Sequence, residues 1–188
     1  MQDGSIIMSQ VVQHISHAFW ESDDSVLVIL ESDWPTSSST LPPLSLDPVQ
    51  LAVAGIERLS PEECGRYCRY FRRGQHWVFA FQSKRYPQLL EHKLRVYLAT
   101  EMNEWSEAIG KTEWELVPLS DEPGATYEVS IPFERIPVGE RFRFKFVSED
   151  GEWLDVPDSA PNRICCVDGV NNFEFNPQQS GQHIFRLR

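Results

Sequence analysis

The chain has 188 residues, 41% of them hydrophobic and 12% aromatic, which is enough apolar material for one large or two small packed domains and argues against disorder throughout. Twenty-eight acidic residues against 17 basic ones give a net charge of −11, which disfavours a nucleic-acid or anionic-membrane partner and suits a neutral ligand. No apolar run approaches the ~18 residues of a membrane span. Ile6-Ile7-Met8 behind Asp3 is too short and too acidic a start for a secretory leader, so the expectation is a cytoplasmic protein.

Taken in order, residues 1–18 read as a short helix or a leading strand. His14 and His17 stand three apart, a spacing that can hold a metal on a helix, but they are not read as ligands. Phe19 to Leu30 reads as a hairpin, with turn formers from Ser22 to Ser25 and a β-branched apolar run after them. Trp34 to Pro48 is rich in Ser, Thr and Pro and reads as a linker. Gln50 to Gly55 reads as a short buried strand. Ser60-Pro61-Glu62-Glu63 is a helix start, with Ser60 as N-cap, Pro61 at the first helical position and Glu63 completing a capping box. That helix should end near residues 67–69.

Strand signals then follow at His76–Gln82, Leu94–Ala99, Glu113–Pro118, Tyr127–Ile131, Arg141–Val147, Trp153–Leu154, Arg163–Val167 and Phe173–Phe175. Phe142, Phe144 and Phe146 alternate with Arg143 and Lys145, the period of a half-buried strand. Short strands separated by turns at roughly 8–12 residue spacing predict a β-sandwich. The expected organisation is a β-rich N-terminal extension or small domain with one short helix over residues 1–75, and a sandwich over 76–188. The tail from His183 to Arg188 reads as a final strand that stops abruptly, which predicts more chain beyond Arg188.

Cys64 and Cys68 lie one helical turn apart, and Cys165 and Cys166 are neighbours. Neither pair has the Cys-x2-Cys spacing of a zinc site, and all four are read as small buried thiols in a reducing compartment. Arg66, Arg69, Arg72 and Arg73 form a basic cluster in an acidic protein. The plainer reading is a solvated face paired with local acids; the other is a docking patch for an acidic surface. The acid pairs Asp23-Asp24, Glu62-Glu63, Glu149-Asp150 and Asp155/Asp158 read as solvated loops, not as two carboxylates facing each other across a cleft. Catalysis by this chain is therefore not expected, and no cofactor is called for.

Four elements in sequence carry the sharper signal: Asn103-Glu104-Trp105 after the strand Val96 to Ala99; Phe144-Lys145-Phe146; Asp150-Gly151-Glu152-Trp153; and Asn171-Asn172. This succession, over about residues 76–177, resembles the family 48 carbohydrate-binding modules. These modules occur in the β subunit of the AMP-activated kinase and at the N-terminus of family 13 glycoside hydrolases. The chain departs from the family pattern at Thr100, where Gly is usual, at Met102, where Phe is usual, and at Asp155-Val156-Pro157, where Asp-Pro is usual.

The resemblance implies an immunoglobulin-like β-sandwich that binds an α-glucan such as glycogen or starch without acting on it. It also implies a catalytic glycoside hydrolase domain C-terminal to Arg188 as a partner. Trp105 and Trp153 match the family's sugar platform, Lys145 the lysine between them, and Asn171 the asparagine of the late pair. Val167 matches the apolar wedge, and Asn103 lies in the turn that presents the first tryptophan. The chemistry suits those roles. Indoles stack on the C–H faces of pyranose rings, and a lysine ammonium and an asparagine amide address hydroxyls. The alternative from the same residues is an interaction sandwich that packs on a partner without binding sugar, with its tryptophans in the core.

Overall fold

Two units emerge from the chain contacts, residues 1–60 with 181–188 and residues 61–180. The computed structural model describes residues 15–22, 25–30, 48–158, 160–177 and 184–187. His14 and the Ser/Thr/Pro-rich segment up to residue 47 lie outside the described residues.

The first unit is built on β1 (Ile15–Ser22), β2 (Ser25–Leu30), α1 (Pro48–Val53), β3 (Ile56–Arg58) and the chain's last strand, β12 (Ile184–Leu187). Of the leading segment, residues 15–18 are strand, the start of β1, and β1 and β2 pair antiparallel as the hairpin pattern predicts. The sheet order is β1-β2-β12-β3, with Phe185 opposite Val28 on one side and Arg58 on the other. Val28, Ile56, Leu59, Ile184 and Phe185 are buried, and Arg186 Nη1 reaches Glu57 Oε2 at 2.9 Å. Residues 50–55, expected as a buried strand, form α1 and its exit. Pro48 fits the first position of a helix. Burial is one-sided, with Leu51 inside and Val49 and Val53 outside, and a strand buried on both faces would not show that pattern.

The second unit begins earlier than the boundary at residue 75 read from the sequence. Helix α2 (Pro61–Cys68) falls where its start signals place it, and β4 (Tyr70–Arg73) pairs along its length with β5 (His76–Gln82). Arg69 links helix to strand. Its backbone is left-handed (φ 66°), its N–H donates to Gly65 O at 2.9 Å, and its carbonyl accepts from Ala80 N at 2.9 Å. The tail strand β12 conversely belongs to the first unit, because its partners are β2 and β3.

After α3 (Pro87–Glu91) come β6 (Val96–Thr100), β7 (Glu115–Pro118), β8 (Thr126–Pro132), β9 (Phe142–Ser148), β10 (Arg163–Cys165) and β11 (Asn171–Phe175). The ladder order is β10-β11-β9-β6-β7-β8-β5-β4, and every pairing is antiparallel. Among the described residues helices are few and short, and the fold is all-β. Trp153-Leu154, expected as a strand, contributes a single bridge, Trp153 to Val147.

The core is aromatic. Phe79 of β5 meets Phe144 of β9 edge to face at 5.1 Å, Trp77 meets Phe175 at 5.0 Å, and Phe81 meets Phe146 at 5.5 Å. Strands β5 and β9 lie four places apart in the ladder, so the sheet folds over its own aromatic face. The alternation of β9 follows: Phe142, Phe144 and Phe146 point into this core, while Arg143, Lys145 and Val147 point to the other face.

Candidate functional site

The outer face of β6 and β9 carries Tyr97 and Ala99 beside Val147 and Lys145, with Tyr97 opposite Val147 and Ala99 opposite Lys145. The chain leaving β6 returns over this face in tight turns. Tyr97, Ala99, Ala108 and Val147 are fully buried there, with Trp105, Ile109 and Trp114 packed against them. Trp114 is half-buried in this overlay, whereas Trp77 is buried in the aromatic core.

Thr100 and Asn103 build the turn that presents Trp105. Thr100 Oγ1 accepts from the N–H groups of Met102 (3.0 Å) and Asn103 (3.3 Å). Asn103 Oδ1 accepts from Thr100 N at 2.8 Å, and its Nδ2 donates to Leu98 O at 2.8 Å. This is a reciprocal cap, and it gives Thr100 a role that glycine cannot fill. Asn103 is only 7% exposed and both ends of its amide hold backbone, so its amide orders the turn. Beyond the cap, Glu104 (φ 57°) and Trp105 (φ 58°) are both left-handed, a conformation that costs a bulky side chain about 1–3 kcal/mol. The cap and the packed indole hold it in place.

Trp153 reaches the same face from the next hairpin. Its turn is closed by Ser148 N to Glu152 O (2.9 Å) and by a short hydrogen bond from Ser148 Oγ to Asp150 Oδ1, which holds the Asp150 carboxyl below its ordinary pKa. Gly151 supplies the positive φ (88°) the turn requires. The bridge to Val147 then sets the indole beside Trp105. The ring centroids are 6.3 Å apart with planes inclined at 68°, and Trp153 is 41% exposed.

Lys145 lies on this face, half-buried, and its ammonium has no hydrogen-bond or ion-pair partner among the described residues. Its neighbour Arg143 is engaged, with its N–H and Nε donating to Glu101 at 2.7 and 2.8 Å and its Nη1 to Cys166 Sγ at 3.0 Å. These bonds pull the Glu101 carboxyl below its ordinary pKa.

The structure departs from the expected set at the asparagines. Phe173 stands opposite Phe144, so Asn171 shares the core-facing side of β11 with Phe173, and its Oδ1 is covered and unpaired. Continuing that register by one residue sets Asn172 opposite Lys145. Asn172 is buried and donates through Nδ2 to Cys166 Sγ at 3.2 Å. Val167 is fully exposed at the tip of the β10–β11 hairpin, which Cys166 and Val170 close with a 2.9 Å backbone bond. The structure thus puts Trp105, Trp153 and Lys145 on one face, sets Asn103 in the turn that leads to Trp105, and places Asn172 rather than Asn171 on the lysine's side of β11. Register decides that placement, and a sequence of two adjacent asparagines carries no register.

The cysteines divide. Cys64 and Cys68 are buried as expected, but Cys165 is exposed and Cys166 half-buried, because β10 is an edge strand. Among the described residues there is no group of three or more metal-ligating side chains, and no helix is long and apolar enough to cross a membrane. No family model, no curated protein and no solved structure matches this chain.

Proposed function

We propose that residues 61–180 form an immunoglobulin-like β-sandwich of the family 48 carbohydrate-binding type, which holds an α-glucan on the Trp105–Trp153 face. One observation carries the reading: two indoles from separate turns meet at an angle on an open surface beside an unpartnered lysine. Inclined platforms fit successive glucose rings of a curved α-1,4 chain better than the flat ribbon of a β-linked one. Lys145 donates to hydroxyls there, and the apolar indole faces exclude water from the C–H surface of the sugar. The ladder order and the folded-over aromatic core support the sandwich.

By the same resemblance the module serves a family 13 catalytic domain beyond Arg188. The four free thiols suit a cytoplasmic setting. Affinity electrophoresis through gels with and without glycogen tests the binding. Retardation of the wild-type chain that Trp153→Ala removes supports it. Unchanged mobility of the wild-type chain overturns it and leaves a sandwich that only packs on a partner.

A further inference from the structure

A second concave site lies in the same unit, between the end of α2, the exit of β5 and the segment after Trp153. It is a pocket of about 380 Å3, within the roughly 300–1,000 Å3 range of small-molecule sites. Four cations line it: Arg66, Arg69, Lys84 and Arg85. In a chain of net charge −11 this is a concentrated positive field, and none of the four makes a side-chain hydrogen bond or ion pair among the described residues. Asp155 is the only carboxylate in the lining.

Arg69 is fixed by the fold, since its left-handed backbone ends α2 and its N–H and C=O are both bonded. Its guanidinium is half-buried, and burial and the nearby Arg85 charge both lower its pKa. Holding like charges together with one of them partly desolvated is unfavourable unless an anion completes the site. Arginine forks match phosphate oxygens in bidentate geometry, and the lysine adds a point charge.

The rest of the lining is not ionic. Tyr86 is half-buried and offers ring surface, with the buried Phe81 packed 5.6 Å from it. Tyr86 is pinned by the Asp155 N–H, which donates to its hydroxyl at 2.6 Å. Gln82 and the Asp155 carboxylate are exposed at the same pocket and can address hydroxyls. A phosphate with a hydroxylated ring attached uses every part of this lining, and inorganic phosphate uses only the cations.

We infer that this pocket is a binding site for a small phosphorylated sugar, separate from the Trp105–Trp153 face. The phosphoryl group sits among Arg66, Arg69, Lys84 and Arg85, and the ring lies against Tyr86.

Titration calorimetry of the whole chain tests it, with glucose 6-phosphate, glucose 1-phosphate, glucose and inorganic phosphate as separate probes. At least one sugar phosphate should bind ten times or more tighter than inorganic phosphate and than glucose, with affinity falling as salt rises. Lys84→Ala/Arg85→Ala should weaken it at least tenfold. Arg69→Gly should do the same while keeping or raising the melting temperature, because glycine relaxes the left-handed position. Trp153→Ala should leave sugar-phosphate binding unchanged, which separates this site from the proposed glucan face. Absence of sugar-phosphate binding, equal affinity for inorganic phosphate, or affinity unmoved by the Arg69 and Lys84/Arg85 changes would each overturn it.

Discussion

The indole of Trp105 meets that of Trp153 edge to face, with centroids 6.3 Å apart and ring planes at 68°. The two are not equivalent. Trp105 packs on the buried Tyr97–Ala99–Val147 surface, and Trp153 is 41% exposed. Trp153→Ala should therefore cost less than about 1 kcal/mol of stability and weaken glucan binding by ~1–3 kcal/mol. Trp105→Ala should lose the same affinity and about 2–3 kcal/mol of stability as well. Urea denaturation beside glycogen affinity electrophoresis separates the two effects. Equal stability losses in both variants would show that the platform is not organised this way.

Asn103 gives a contrasting prediction. Its amide closes the Thr100 turn and binds Leu98 O, so Asn103→Ala should destabilise the unit by about 1–2 kcal/mol. Affinity should fall only as far as the Trp105 turn loosens. A variant of full stability that has lost glucan binding would instead place Asn103 in contact with the ligand.

These two residues show what the sequence makes legible. The order of Asn103, Trp105, Lys145 and Trp153 is local information, and strand alternation sends Lys145 away from the phenylalanines on either side. Which of Asn171 and Asn172 shares the lysine's face depends on the β9–β11 register, and pairing across the sheet sets that register. The membership of β12 in the first sheet is of the same kind, since its alternation is visible but its partners are not. Residues 50–55 failed differently. A short, mostly apolar run reads as a buried strand, but Pro48 and burial on one side favour a helix.

The Glu101–Arg143 pair gives the outer face a pH dependence. Hydrogen bonds from Arg143 hold the Glu101 carboxyl below its ordinary value. A depressed carboxyl contributes stability that is complete above its unfolded pKa of about 4.3 and is lost as pH falls through the lower folded value. Glu101→Gln should therefore lower the melting temperature near pH 6, and the difference from wild type should shrink in acid. Partial exposure of both side chains keeps the effect small and salt-sensitive. A difference that stays constant down to pH 3 would mean that the pair contributes packing and not charge.

Thiol chemistry separates the cysteine pairs. Burial, reinforced by neighbouring Cys64, pushes the Cys68 thiol far above its ordinary pKa, whereas Cys165 is exposed. An aromatic disulfide reagent at neutral pH should label Cys165 quickly and Cys64 and Cys68 only on unfolding in guanidinium. Cys165→Ala should remove the fast phase. Rapid native labelling of Cys64 or Cys68 would show that α2 opens readily.

Gly65 tests the packing of α2 on β4 most directly. A Cβ at this position would lie 2.3 Å from Phe71 Cδ1, too close for either to stay in place. Its carbonyl also accepts the Arg69 N–H that ends the helix. In an exposed helix Gly→Ala is favourable by up to about 1 kcal/mol; here overpacking should reverse the sign, with a loss of about 1–3 kcal/mol. Phe71→Leu should relieve the clash, so the double variant should recover part of the loss in urea denaturation. Gly65→Ala as stable as wild type would mean that α2 does not rest on Phe71 through this glycine.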